Sequence, residues 1–423
     1  MSTLETPPTP SDAMVPVTAK SPTSQKPSKV FPVHRWLLRK LLRSLGNPAI
    51  EIELWNGEVI GATYDPLVRV RFLDRAAFHS VVLHPDPGFA DMYCAGRIEV
   101  EGNLAAFLEA VFRLYTPQYC PKGWFQWLQL PKWTRKANRE NIHHHYDIGN
   151  DFYRLWLDEQ MVYTCAYFPT PETGLEEAQV AKMEHVARKV RLRPGQKVIE
   201  AGCGWGALSL HMASRYGVHV RAFNISREQL AYARERAKEM GLSDRVEFID
   251  DDYRNIQGEC DAFVSVGMLE HVGLKNLREL GAVIARTLKP GGLGLIHSIS
   301  RNFPSPMSPW MEQRIFPGSY IPALREMLDI FEPYNFSVLD VENIRLHYAK
   351  TLKHWLDRFD AVVEKTGLKL SDEFVRTWRL YLISSMAAFK GGLMQLFQVV
   401  FARAENNDIP WTRQDIYQQG ETQ

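Results

Sequence analysis

The segment KVIEAGCGWG, Lys197 to Gly206, constrains the chain more than any other. A short apolar run bounded before it by Pro194-Gly195 reads as a buried strand. It opens directly into glycines at alternate positions, Gly202, Gly204 and Gly206, and then into the helical pattern Ala207 to Tyr216. Glycines let a chain turn tightly and approach a ligand, and the first turn of a helix offers free N–H groups to it. The device is not specific alone. A dinucleotide-binding fold uses a related turn, and the same turn with no ligand is the bland alternative.

The surrounding pattern alternates. A helical stretch from Leu175 to Leu192 precedes the glycine turn; strand VHVRAFN, helix Glu228 to Met240, strands RVEFID and DAFVSVG, helix Leu274 to Leu288, turn KPGG and strand LGLIHSIS follow it. Strands alternating with helices imply a parallel sheet covered on both faces. A further strand FSVLDVE, two long helical stretches and a final strand LFQVVFAR bring the count to seven, so the expected class is α/β with a seven-stranded Rossmann-like sheet.

The ligand follows from what is missing. A dinucleotide site wants G-x-G-x-x-G and an acid at the end of the next strand to hold a ribose. Here the turn is G-x-G-x-G, and the next strand ends at Phe223-Asn224, followed by Ser226 and Gln229, groups suited to a carboxylate or hydroxyl. That combination points to S-adenosylmethionine. Asp250 to Asp252 with Tyr253 stand where an adenine could be held, the alternative being an ordinary acidic turn.

Composition bounds the rest. At 423 residues and 45% hydrophobic content the chain can bury at least one full core. Fifty Lys and Arg against 49 Asp and Glu leave a charge of +1, which gives no footprint for nucleic acid. The scattered cysteines, Cys94, Cys120, Cys165, Cys203 and Cys260, include no C-x-x-C pair, so neither a zinc site nor a disulfide scaffold is expected. His143, His144 and His145 are adjacent and diverge, and no metal is expected there either. Residues 1–30, rich in Pro, Ser and Thr, read as a disordered tail; 31–114 as a small α+β domain; 115–140 as a linker; and 141–423 as the catalytic domain. No run of about 18 apolar residues occurs, so the expected location is cytoplasmic and peripheral to the inner face of a membrane.

The ordered series HYDIGNDFYRLWLD, VYTCAYF, EEAQ, EAGCGWG, SVGMLEHVG, RIFPGSYIP and LHYAKTLKHW resembles the cyclopropane fatty acid synthases, from about Ile142 to Arg403. The N-terminal region is similar to the small lipid-associated domain of bacterial members. The resemblance implies a methyltransferase that adds the methyl of S-adenosylmethionine to a cis double bond of a membrane phospholipid acyl chain and closes a cyclopropane ring. It carries the cofactor contacts onto Tyr163, Thr164, Glu200, Gly202, Cys203, Gly204, Trp205, Gly206, Asn224, Ser226, Gln229, Asp252 and Tyr253. It also implies that a bound bicarbonate is the base, held by Cys165, Glu270, His297, Ile299 and Tyr348. Thr164 replaces a usual Ser, Glu200 a usual Asp, and Ser385 stands where the family commonly has a Cys, so Ser385 is not assigned a catalytic role.

The chemistry asks for such a set. An alkene is a poor nucleophile, so water must be excluded and the developing carbocation stabilised, by a carboxylate and by ring faces such as Tyr163, Trp205 and Tyr348. Each desolvated aromatic contact is worth about 1 to 2 kcal/mol. An anionic base would accept hydrogen bonds from His297 and Tyr348 and donate its own to Glu270. Taken singly, Cys165 and His297 have another reading as ordinary buried packing. The prolines, Met, Trp and Phe of Asn302 to Pro322 and the apolar helices after Tyr348 are candidates for walling an acyl tunnel, with plain helix packing as the alternative. Trp36, Arg39, Lys40 and Arg43 are candidates for recruiting anionic lipid, or for a domain interface. C-methylation without ring closure, a lipid-binding protein with a vestigial cofactor fold, and a soluble small-molecule methyltransferase stay open, as does a homodimer.

Overall fold

The computed structural model describes residues 29–44, 46–61, 65–114, 149–366 and 370–417. The 115–140 linker, the histidines at 143–145 and all but the last two residues of the 1–30 tail lie outside them.

Two sheets organise the chain. In the smaller, β1 (Ile50–Glu53), β2 (Val59–Gly61), β3 (Val68–Phe72) and β4 (Ile98–Gly102) lie in the order β2-β1-β3-β4. Strands β1 and β3 are parallel and the other pairs antiparallel. Alternation sets the faces. Val68, Val70 and Phe72 point into the core, while Arg71 reaches Glu53 and Glu99 on the flanking strands at 3.1 and 3.2 Å. Helix α1 (Pro32–Ser44) buries His34, Leu38 and Leu42, four residues apart, and turns Trp36, Arg39, Lys40 and Arg43 outward. Helices α2 (Arg75–Leu83), α3 (Pro85–Cys94) and α4 (Leu104–Arg113) complete this unit. Asp74 and Asn103 cap α2 and α4 by accepting from the N–H groups of Ala77 and Ala106, both at 2.9 Å.

Helices α5 (Asn150–Arg154) and α6 (Leu175–Lys189) lead into the larger sheet. Its strands are β5 (Lys197–Ala201), β6 (His219–Asn224), β7 (Val246–Asp250), β8 (Cys260–Val266), β9 (Leu288–Ser300), β10 (Phe336–Asn343) and β11 (Gln395–Arg403). The order is β10-β11-β9-β8-β5-β6-β7, with β11 antiparallel to both neighbours and the pairs among β5 to β9 parallel. Seven strands of the expected α/β class are thus present. Helices α7 (Ala207–Tyr216), α8 (Arg227–Glu239) and α9 (Leu277–Thr287) follow β5, β6 and β8. Strands β8 and β11 are buried along nearly their whole length because cores lie on both faces of the sheet, one built around Met183, Leu208 and Leu230, the other around Val283, Ile284 and Phe331. Strand order reverses between β5 and β8, which opens a crevice at their carboxyl ends.

Local differences from the sequence reading have local causes. The helix expected from Leu274 starts at Leu277, since Leu274–Asn276 forms a 3-10 turn after Gly273. The expected KPGG turn lies inside β9, whose pairing with β8 shifts register between Cys260 and Ala262. Pro290 has no N–H to give a ladder, and the irregularity accommodates it.

The short helix α10 (Pro309–Arg314) precedes β10, and between β10 and β11 the chain inserts two long helices, α11 (Arg345–Thr366) and α12 (Asp372–Gly391). Helix α12 packs on α3 and α4, and α10 on α3. One apolar core therefore runs from Phe78 and Ile98 beneath the smaller sheet to Trp355 and Trp378. None of the described helices is long and apolar enough to cross a membrane.

Candidate active site

The glycine turn folds back on β6. The N–H groups of Gly202 and Cys203 both donate to the Phe223 carbonyl, at 2.9 and 3.1 Å. All three glycines have positive φ: +85° at Gly202, +53° at Gly204 and +84° at Gly206. Their spatial demands differ. A Cβ at Gly202 would lie 2.7 Å from Met268, and one at Gly206 would lie 2.7 Å from the Phe248 ring and 2.8 Å from Ala233. At Gly204 a Cβ would meet no protein atom within 4 Å, and this glycine faces the cavity. Asn224 locks the turn, its Nδ2 donating to the Gly204 carbonyl at 3.2 Å and to Gln229 Oε1 at 2.8 Å.

Of the residues expected to hold the cofactor, all but Gly206 and Ser226 line one cavity at the carboxyl ends of β5, β6 and β7. The two exceptions have other contacts. Gly206 serves helix-to-sheet packing, and the Ser226 hydroxyl caps α8 by accepting from the Gln229 N–H at 3.4 Å. Asp250 also points away and pairs with Arg227 at 3.1 Å, while Asp251, Asp252 and Tyr253 line the cavity.

The cavity carries both signs of charge. Glu200 Oε2 accepts from the Ser209 hydroxyl; burial pushes this carboxyl up to about 7, against the opposing pull of that hydrogen bond and of Lys182. Lys182, which the sequence reading did not single out, donates to Thr164 Oγ1 at 3.1 Å and is 2% exposed. Burial lowers its ammonium to about 8 despite Asp158, Cys165 and Glu200 nearby. One end thus presents a carboxylate, a cation and a hydroxyl, and Asp252 and Tyr253 sit two strands away, on the far side of β6. That donor set fits a zwitterionic amino acid head joined to an adenine ring, the two ends of S-adenosylmethionine. A signal for Lys182 was present in the sequence: Gln179, Lys182 and Lys189 recur on the face of α6 that carries Met183 and Val186 inward.

The five residues expected around an anion fall into two connected groups. Glu270 sits on the 3-10 turn after β8, 7% exposed, and its Oε1 accepts from the Ile299 N–H at 2.6 Å. Its Oε2 is buried and makes no hydrogen bond among the described residues, the nearby Ser298 hydroxyl donating instead to the Ile299 carbonyl at 2.9 Å; burial raises this carboxyl above its usual range against the pull of the Ile299 N–H and of Ser298. His297 lies two residues before Ile299 on β9, so their side chains share a face. Burial, then the charges of Lys182 and Lys189, hold its imidazole neutral. In the second group, burial keeps Cys165 a thiol, donating to the Ala166 carbonyl at 3.1 Å. The Ala166 N–H donates at 3.0 Å to Thr351 Oγ1, three residues beyond Tyr348 on α11. The Lys182 charge acts on both Cys165 and His297, which makes it a neighbour common to the two groups and to the cofactor cavity.

An aromatic wall adjoins the cavity. The Tyr163 ring lies 5.3 Å from Tyr153, 5.5 Å from Trp156 and 5.2 Å from Trp355, and its hydroxyl meets that of Tyr381 at 2.8 Å. Trp205 joins through Tyr153 at 5.2 Å, its indole N–H donating to Asn150 Oδ1 at 2.7 Å. Tyr348 stands 6.0 Å from Trp355 and 4.7 Å from Phe389. The segment over 302–322 ties this wall to the smaller unit. Ser308 donates to Asp86 at 2.9 Å, Arg314 pairs with Asp91 at 3.2 Å, and the Tyr320 N–H donates to the Glu270 carbonyl at 2.8 Å. Ser385 is half-buried on α12, one turn beyond Tyr381.

Known proteins resemble the chain in both sequence and fold. Residues 133–399 match the family described as mycolic acid cyclopropane synthetase. A protein of Pseudomonas putida named probable fatty acid methyltransferase is 32% identical over 388 residues, 89% of this chain and 98% of that protein. The cyclopropane-fatty-acyl-phospholipid synthase of Escherichia coli K12 is 40% identical over 266 residues, 63% of this chain and 68% of its own length. The solved mycolic acid cyclopropane synthase CmaA1, complexed with SAH and CTAB, superposes with a TM-score of 0.59 at 26% identity, covering 64% of this chain and 99% of that one.

Proposed function

Because the chain belongs to the mycolic acid cyclopropane synthetase family of S-adenosylmethionine-dependent methyltransferases, we propose that it cyclopropanates the cis double bonds of unsaturated phospholipid acyl chains. S-adenosylmethionine supplies the methyl group. Glu200 and Lys182 hold its charged head, and Asp252 and Tyr253 its adenine. Tyr163, Trp205 and the rings behind them exclude water and turn apolar faces with a negative quadrupole toward the carbon that becomes cationic.

The observation that carries the reading is the buried Oε2 of Glu270, which makes no hydrogen bond among the described residues, while its Oε1 is held by the Ile299 N–H of the strand that bears the neutral His297. A carboxylate oxygen that deep without a donor costs about 1 to 3 kcal/mol, which a ligand carrying a hydroxyl would recover. Bicarbonate fits: it has one O–H for Glu270 and acceptor oxygens for His297 and Tyr348. Bound there, it supplies the base for ring closure. Ile299 contributes through its N–H, which orients Glu270. Cys165 is tied to α11, the helix that carries Tyr348, through the Ala166 N–H and Thr351.

The substrate side rests on α1. Trp36 is 59% exposed, the Lys40 ammonium lies 5.3 Å over its ring, and Arg39 and Arg43 face solvent. An outward row of cations with an aromatic suits the headgroup layer of an anionic leaflet. A second reading, methyl-branched acyl chains without ring closure, is favoured by the name of the Pseudomonas putida relative. Purified protein incubated with S-adenosylmethionine and vesicles of monounsaturated phospholipid tests both. Ring closure predicts a gain of one CH2 with loss of the alkene; a methylated lipid that retains its alkene supports branching, and unmodified lipid overturns both.

A further inference from the structure

We infer that Gln398 is a positioning residue for the reaction: its side-chain amide fixes His297 in the tautomer that carries its hydrogen on Nε2, the form able to donate to a bound anion. The inference rests on the reading of His297 given above and adds a residue to it.

Strands β9 and β11 run antiparallel, and His297 and Gln398 are register partners across that pair. Their side chains therefore leave the sheet on the same face. Gln398 is 0% and His297 2% exposed, so no solvent competes for either. Gln398 Nε2 lies 3.1 Å from His297 Nδ1. An amide nitrogen only donates, so Nδ1 accepts, and a neutral imidazole that accepts at Nδ1 holds its single hydrogen on Nε2. The opposite tautomer would turn a lone pair toward the oxygens of an anion.

A neighbour shows that the contact is not generic to glutamine in this strand. Gln395, three residues earlier, has both ends of its amide paired, Oε1 accepting from Asn343 and Nε2 donating to the Gly392 carbonyl, each at 2.8 Å. Gln398 instead leaves Oε1 buried with no partner among the described residues. An apolar side chain would fill that position in LFQVVFAR without stranding a carbonyl, so the donor to His297 is what glutamine adds there. The charged groups that bear on the imidazole are Lys182, Lys189 and His185 from α6 and Glu342 from β10. Burial first, then three basic side chains against one carboxylate, oppose its protonation, and Gln398 supplies the contact at Nδ1 that selects the tautomer of the neutral ring.

The test uses the full chain with 15N-labelled histidine. The His297 resonance of the wild type, assigned by its loss in His297→Ala, should report hydrogen on Nε2. Gln398→Leu should keep S-adenosylmethionine affinity within twofold by calorimetry while kcat falls at least tenfold. Gln398→Glu replaces the donor with an acceptor and draws the hydrogen to Nδ1. Its kcat should be lower still at pH about 8 and recover toward pH about 6, where the doubly protonated ring regains an Nε2 hydrogen, a rescue the wild type does not show. Hydrogen on Nδ1 in the wild type would overturn the inference without need of any variant. So would wild-type kcat and pH dependence in both Gln398 variants alongside an inactive His297→Ala. Full activity of His297→Ala would overturn the role of His297 itself, and with it this inference.

Discussion

Glu270→Gln separates the charge of this side chain from its shape. Oε1 accepts from Ile299 at 2.6 Å, and a glutamine oxygen keeps that bond; Oε2 makes no hydrogen bond among the described residues, and glutamine puts an NH2 donor in its place. Burial already disfavours the ionised form, so neutralising it leaves stability unchanged or raised by about 1 kcal/mol. Turnover answers differently. A group that orients the proton acceptor contributes about 10² to 10⁴ in rate, or about 3 to 5 kcal/mol of barrier. Glu270→Ala adds a stability cost of about 1 to 3 kcal/mol, because the Ile299 N–H loses its acceptor. Single-turnover transfer of labelled methyl to vesicle phospholipid, with calorimetric titration of S-adenosylmethionine, reads both quantities. In Glu270→Gln affinity should stay within about twofold and the rate should fall by at least about a hundredfold. Turnover near wild type in the Gln variant would refute the role of Glu270, and so would a loss of cofactor binding as large as the loss of rate.

Gly206→Ala should lower stability by about 2 to 5 kcal/mol, the sum of a left-handed backbone penalty and overpacking against Phe248 and Ala233, read as a drop in Tm; an unchanged Tm contradicts the packing role. Glu200, with its carboxyl pushed up to about 7 from an ordinary 4.5, keeps a proton in the folded state that the unfolded chain has lost. Its contribution to stability is therefore largest below about 4.5 and is lost as pH rises through about 7. The ammonium of the cofactor's amino acid head favours the ionised form, so S-adenosylmethionine affinity should rise about tenfold per pH unit up to about 7 and then level, and Glu200→Gln should abolish that slope; an equal slope in the variant rejects the assignment. Replacing both Arg39 and Arg43 by Ser should weaken binding to anionic vesicles by about 2 kcal/mol, roughly thirtyfold, at about 1 kcal/mol per cation; unchanged cosedimentation removes α1 from the membrane contact.

What was legible in the sequence follows from the range of the interactions involved. The turn at Gly202, Gly204 and Gly206 was readable because positive φ and close approach demand glycine locally. The seven strands were readable because short stretches rich in β-branched and aromatic residues alternate with helical patterns and glycine-rich turns along the sequence. Ser226 and Asp250 could be read either way from sequence because the residue types that bind ligands also cap helices and pair with arginine; only the direction of the side chain decides, and spacing does not encode it. Lys182 escaped because helical periodicity shows which face is buried but not that a buried cation meets Thr164, eighteen positions earlier. The contact of Gln398 with His297 depends on the antiparallel register of β11, and the shared core of α4 and α12 on packing between distant segments. Neither is a local pattern.

The most direct test of the central claim is the structure of the lipid product. Phospholipids recovered after turnover of the purified protein on vesicles, analysed by gas chromatography and mass spectrometry of their acyl chains, should show one added CH2, no remaining double bond at the methylated position, and a cyclopropane fragmentation pattern. A methyl branch with a retained alkene, or acyl chains left unchanged while S-adenosylmethionine is consumed, would contradict it.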